Sequence, residues 1–149
     1  RREMLDEIGL FDEDFFLYLE DVDLAFRARL AGWKCLYVPG ARVIHHHGGT
    51  AGVGSDLAVY YGNRNIVWYP IKDFPFRLLI TSLPFIVARN LAVIPYYALR
   101  GQGGVILKSK LDALKGVVKM MEKRKDVVCR ADYSQIKRFV EIWGRMKGH

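Results

Sequence analysis

The chain has 149 residues, 51% hydrophobic and 26% charged, the proportions of a globular domain with a real core and not of a disordered or fibrous protein. Its net charge of +7 is unevenly placed: residues 100–149 carry 13 Lys and Arg against 5 Asp and Glu, a net of +8, which leaves −1 for residues 1–99. A cationic tail suits a polyanion, either an anionic membrane surface or a nucleic acid.

The chain opens at Arg1, with no initiator Met and no signal-peptide pattern, so the expectation is a piece of a longer protein. Residues 1–8 read as a short helix closed by Gly9, which tolerates the left-handed C-terminal position. Residues 10–19 form an aromatic-rich loop, with Phe11, Phe15, Phe16 and Tyr18 among carboxylates. A second helix runs from near Glu20 to Ala31 and ends at Gly32. Residues 34–38 and 42–46 read as two strands around a Pro39-Gly40 turn. Cys35 falls in the first of these strands and reads as a buried free thiol, far in sequence from Cys129.

Residues 51–55 are a Gly-rich loop, followed by a helix that carries Tyr60, Tyr61, Arg64 and Asn65. Residues 78–99 are strongly apolar and nearly long enough to span a bilayer, but Pro84, Arg89, Asn90 and Pro95 interrupt them. From 106 to 125 the pattern is that of a basic amphipathic helix: Leu107, Leu111, Leu114, Val118 and Met121 make one stripe, with Lys108, Lys115, Lys119 and Lys123 mainly off it. A last helix is expected from Ser134, an N-cap residue, presenting Ile136, Phe139, Val140 and Trp143.

The chemistry sits early. In Glu20-Asp21-Val22-Asp23, three carboxylates stand at the mouth of a helix, where free N–H groups and the helix dipole favour the ionised form. An ionised carboxylate is able to take the proton of an attacking hydroxyl. The plainer alternatives are capping by the acids and a surface ion pair between Asp23 and Arg27. His45-His46-His47 ends the second expected strand, and neutral imidazole is a good ligand for a divalent metal; a polar strand end is the alternative. Asp12-Glu13-Asp14 and Asp21-Val22-Asp23 both have the Asp-x-Asp form of sugar-nucleotide metal motifs. Neither ends a strand of a nucleotide-binding sheet, so neither is read as one.

The ordered set Phe11-Asp12-Glu13, Phe15-Phe16, Tyr18, Glu20-Asp21-Val22-Asp23-Leu24, Arg27, Gly32, Pro39, Val43, His45, Gly48-Gly49-Thr50, Tyr60-Tyr61 and Arg64-Asn65 resembles family 2 glycosyltransferases, the rhamnosyltransferase-like and galactofuranosyltransferase-like members above all. The match covers roughly residues 1–72. The resemblance implies an α/β fold, the C-terminal part of a GT-A (Rossmann-like) domain, followed by amphipathic and apolar helices. It divides the chain into an acceptor-side catalytic part, 1–72, and a helical, membrane-associated part, 73–149. It implies that Asp21 is the general base, that Glu20 supports it, and that His45 completes a Mg²⁺ or Mn²⁺ site. The other metal ligands and the nucleotide-binding half are expected outside this chain.

The expected reaction is inverting transfer of a sugar from a nucleotide-diphosphate donor to a hydroxyl of a glycan or lipid-linked acceptor. Phe16, Trp33 and Arg64 are the expected substrate contacts, with Phe15 and Tyr18 as further candidates for an acceptor wall and core packing as the alternative for all four aromatics. The tail points to the cytoplasmic face of the cell membrane, peripheral or partly inserted. Two other classes compete: a non-catalytic membrane-surface module, and a nucleic-acid binder. The first leaves the ordered motifs of residues 1–72 unexplained. The second lacks any aromatic or Gly-rich RNA signature, and no nucleic-acid partner is expected.

Overall fold

The computed structural model describes residues 1–44, 52 and 54–145, with the side chains of residues 139 and 141–145 outside that description. Seven α-helices are found among the described residues: α1 (Arg2–Ile8), α2 (Glu20–Leu30), α3 (Asp56–Asp73), α4 (Phe76–Leu99), α5 (Gly103–Lys115), α6 (Val117–Lys123) and α7 (Tyr133–Arg145). No strand occurs among them. The expected α/β class, and with it the reading as the C-terminal part of a Rossmann-like GT-A domain, is therefore corrected to an all-helical arrangement. Residues 34–44 turn at Pro39-Gly40, where the Ala41 N–H donates to the Val38 carbonyl at 3.0 Å. No described segment lies alongside to take their backbone groups, and strand pairing needs such a neighbour. Tyr37 and Val43 are each 88% exposed. Cys35 is exposed as well, not buried, and both cysteines are free thiols.

Helix α3 organises the rest. Ser55 caps it, its hydroxyl accepting from the Ala58 N–H at 3.2 Å. It packs against α5, α6, α4 and α2. The Trp68 indole N–H donates to the Ala113 carbonyl at 2.8 Å, and the Ser109 hydroxyl donates to the Tyr60 carbonyl at 2.9 Å. Phe15, Trp68, Ala113 and Met120 form one buried cluster; Phe26, Leu30, Leu78 and Ile136 form a second. Residues on both sides of position 72 thus share each core.

The tail differs from its sequence pattern in three ways. The single helix expected over 106–125 is broken at Gly116 into α5 and α6. A Cβ at Gly116 would run into the Trp68 ring. The leucine stripe is not the buried face: Leu107, Leu111, Leu114 and Val118 are 51–68% exposed, while Ile106, Ser109, Ala113 and Met120 are buried. The last helix takes Asp132, not Ser134, as its cap, Asp132 Oδ1 accepting from the Gln135 N–H at 2.9 Å. Helix α4 continues unbroken through Pro84 and Pro95.

Candidate functional site

The loop before α2 adopts a conformation that L-residues avoid. Phe16, Tyr18 and Leu19 have φ of 56°, 65° and 68°, left-handed values that cost roughly 1–2 kcal/mol per residue. Such a conformation persists only where its surroundings over-determine it. Here α3 does so. Asn65 is fully buried, and its Nδ2 meets the carbonyls of Phe15, Leu17 and Tyr18 at 2.8, 2.9 and 2.8 Å. Arg64 Nε donates to Asn65 Oδ1 at 2.9 Å, which orients the amide so that its NH₂ group faces the loop. Arg64 Nη2 donates to the carbonyls of Asp14 and Phe15 at 2.6 and 3.2 Å. The guanidinium lies 4.1 Å from the Trp68 ring centroid and 4.8 Å from that of Tyr61. From below, Phe15 is inserted in the core against Trp68.

That clamp fixes where the carboxylates point. Leu19 stands at the N-cap in the left-handed region without side-chain capping, so no N-cap side chain covers the positive end of the α2 dipole. Asp21 is exposed, with Oδ1 taking the Val22 N–H at 2.8 Å. Glu20 is half-buried, and its Oε2 is buried without a partner. Asp23 faces the opposite way and is fully buried. Arg27 Nε and Nη2 reach Asp23 Oδ2 at 2.8 and 2.6 Å, and Lys72 binds Oδ1. The Asp23–Arg27 pair is thus a buried structural tie, not a surface pair. Arg27 also donates to the carbonyls of Ile8 and, at 2.7 Å, Leu10.

Around this pair runs an ion network that local spacing does not reveal. Lys72 and Lys123 reach Asp12 at 2.7 and 2.5 Å. Lys119 reaches Asp14 at 2.5 Å, and Lys123 binds Asp14 too. Burial alone would raise Asp12, but hydrogen bonds from Lys123 and Lys72 prevail and hold it down to about 2. Asp14 is likewise lowered: burial opposes, and Lys119 and Lys123 outweigh it. Asp73 goes the other way. Its carboxyl is buried beside Asp23, and burial, then the Asp23 charge, push it up to about 9. Asp12 and Asp14 therefore tie the loop to α3 and α6, while Asp23 of the second triplet ties α2 to α3. A cleft of about 230 Å³ opens beside Asp12, Arg27, Lys72 and Lys123.

The structure brings Phe16, Glu20, Asp21 and Arg64 to one loop and its clamp. Phe16 is 69% exposed and leans on Tyr61, with ring centroids 5.0 Å apart. Trp33 stands elsewhere. Its indole N–H donates to Glu7 Oε2 at 2.9 Å, in a separate cleft of about 360 Å³ shared with Arg29, Gln135 and Arg138. His45 lies outside the described residues. Among the described residues no group of three His, Cys, Asp or Glu converges to hold a metal, so these residues do not by themselves make a metal site. Sequence reasoning missed Asn65, Lys72 and Asp73 as members of the network. Only the i, i+4 spacing of Asp23 and Arg27 was a local signal.

No family model matches the chain, and no solved structure is similar to it at a significant level. Two curated relatives from Mycobacterium tuberculosis, strains CDC 1551 / Oshkosh and ATCC 25618 / H37Rv, are each named N-acetylglucosaminyl-diphospho-decaprenol L-rhamnosyltransferase. Each is 48% identical over 68 residues, 44% of this chain and 22% of the relative. Rhamnosyltransferase WbbL of Escherichia coli strain K12 is 49% identical over 39 residues, 25% of this chain and 15% of its own. The chain spans about a fifth of the length of the curated relatives it matches. These identities establish a glycosyltransferase relationship for part of this chain.

Proposed function

We propose that the chain is the acceptor-side part of an inverting family 2 glycosyltransferase, with Asp21 as general base and Glu20 as its support. The observation that carries this reading is the placement of Asp21: exposed at the open N-terminus of α2, directly after a loop held in a strained conformation from α3. The donor is a nucleotide-diphosphate sugar, a deoxyhexose such as rhamnose in keeping with the relatives' names. The acceptor is a hydroxyl of a lipid-linked glycan. The acceptor oxygen attacks the anomeric carbon as the bond to the nucleoside diphosphate breaks on the opposite face. The hydroxyl proton passes to the Asp21 carboxylate, and the configuration inverts.

Glu20, with one buried oxygen unpartnered, stands next to Asp21 in the first turn of α2 as its proposed support. Phe16 and the aromatic face beside Arg64 offer a wall for the acceptor sugar, and Trp33 is a second, more remote contact. A divalent metal, Mg²⁺ or Mn²⁺, would neutralise the leaving diphosphate. His45 is the one ligand proposed from this chain, the others lying outside it. The exposed apolar and basic tail supports a position on the cytoplasmic face of the membrane, where a lipid-linked acceptor would be met. The experiment is sugar transfer by the longer protein carrying Asp21→Asn, with donor binding measured in parallel. Transfer should be lost and donor binding kept.

A further inference from the structure

Helix α4 is long and apolar enough to cross a membrane by length and composition, with a mean hydropathy of 1.7 and 6% of that stretch buried. Its place in the fold argues against crossing. Arg89 lies near the middle of the helix and is exposed. In a spanning helix its charge would face lipid at the hydrocarbon centre, among the costliest positions for a charge. One side of α4 is also stitched to the core. Leu78 packs with Phe26, Leu30 and Ile136. Lys110 Nζ of α5 donates to Asn90 Oδ1 at 2.6 Å and to the Asn63 carbonyl at 2.8 Å. The chain then folds back after α4, the Gln102 N–H donating to the Tyr97 carbonyl at 2.9 Å. Helix α5 is tied to α3 in turn, through Ser109 to the Tyr60 carbonyl and through Asp112 to the Tyr60 hydroxyl. For α4 to cross, these ties would have to break, or Lys108, Lys110 and Asp112 would have to enter hydrocarbon.

What α4 and α5 leave uncovered is one apolar surface. Leu83, Val87 and Leu91 of α4 and Leu114 of α5 are 45–66% exposed, and all four line a cleft of about 380 Å³ between the helices. The cleft holds two polar side chains, Asn90 and Lys110, which bond to each other. Leu107, Leu111 and Val118 continue the surface along α5 and α6. Its edge is mainly cationic, the one carboxylate of α5, Asp112, being paired with Lys115 at 3.0 Å. Lys108 and Lys115 are exposed and stand beside the leucine stripe at helical spacing. Arg89 and Arg100 are exposed on α4 and just after it, and α4 contains no carboxylate.

We propose that α4 and α5 lie side by side in the plane of one leaflet of an anionic membrane, with lipid chains filling the cleft and phosphates against Arg89, Arg100, Lys108 and Lys115. Helix α4 does not span. This deepens the membrane part of the proposed function and rests on it. An apolar face with a basic edge is the pattern of an interfacial helix, bound by buried apolar area and by attraction to anionic headgroups.

The test uses the full chain with Cys35→Ser and Cys129→Ser and one new cysteine at a time, Ile80→Cys, Leu91→Cys or Leu114→Cys, carrying an environment-sensitive fluorophore. It is mixed with phosphatidylcholine vesicles, with and without phosphatidylglycerol, that contain lipids nitroxide-labelled at shallow or deep acyl positions. Binding should require phosphatidylglycerol and weaken with salt, and all three labels should report one shallow depth. Ile80 and Leu91 are about 16 Å apart along the helix axis. Depths that differ by most of that distance would mean that α4 spans and would overturn the proposal. Equal binding to neutral vesicles would also overturn it, since the basic edge would then have no part. Absence of binding would remove both this arrangement and the membrane assignment, while leaving the transfer chemistry untouched.

Discussion

At the residue scale, the candidate site depends on side chains that hold its loop from α3. Asn65 gathers three loop carbonyls, and without it the left-handed residues at 16, 18 and 19 lose what holds them. Asn65→Ala takes this donor from the part-buried Leu17 and Tyr18 carbonyls, at a cost of about 1–3 kcal/mol. Amide hydrogen exchange over residues 15–21 should quicken strongly, while exchange in α5 changes only by the global loss of stability. Unchanged exchange in the loop would show that Asn65 is not the clamp. Asp73 gives a second signature. Its folded value, about 9, lies above the ordinary carboxylate value of 3.8. The folded state therefore keeps a proton that the unfolded chain releases. The stability this contributes is full below about pH 4 and is lost as pH rises toward 9. Asp73→Asn should flatten the fall in unfolding free energy on the alkaline side. An identical slope in both proteins would place the titration elsewhere.

At the scale of elements, the ends of α1 and α2 were legible and pairing was not. Gly9 and Gly32 mark the ends of α1 and α2 because each adopts a positive φ, 80° and 95°. Residues 34–44 carry strand-like side chains but have no partner among the described residues, a fact that no local pattern records. The tail shows the same limit. Periodicity found the stripe Leu107, Leu111, Leu114, but periodicity is silent on which face the core occupies, and the core took Ile106, Ser109 and Ala113. Gly116 decides the geometry at this scale, since the Trp68 ring occupies the space that a side chain would need. Gly116→Ala should cost about 1–3 kcal/mol through overpacking, read by denaturant unfolding. A neutral result would mean that α6 is free to shift away from α3.

At the scale of the molecule, the lysines of the positive tail divide between internal ion pairs and exposed positions. Lys119 and Lys123 are drawn inward to Asp14 and Asp12, across separations of 105 and 111 residues. They hold the tail to the loop that carries the site and do not add to the basic edge. Such long-range pairs explain why net charge by segment was readable and its use was not. The exposed cations on α4 and α5 are what remain for a membrane. In the longer protein, the site and the lipid-facing helices would then be coupled through α3, which clamps the loop at one point and carries α5 along its length. The central claim is that Asp21, at the open end of α2, removes the acceptor proton. Its most direct test is the single-turnover rate of sugar transfer at saturating donor, compared between the longer protein and its Asp21→Asn variant. The account expects a fall of about 10²- to 10⁴-fold with donor affinity unchanged. A rate within about tenfold of the unaltered protein, well short of what a general base contributes, would contradict it.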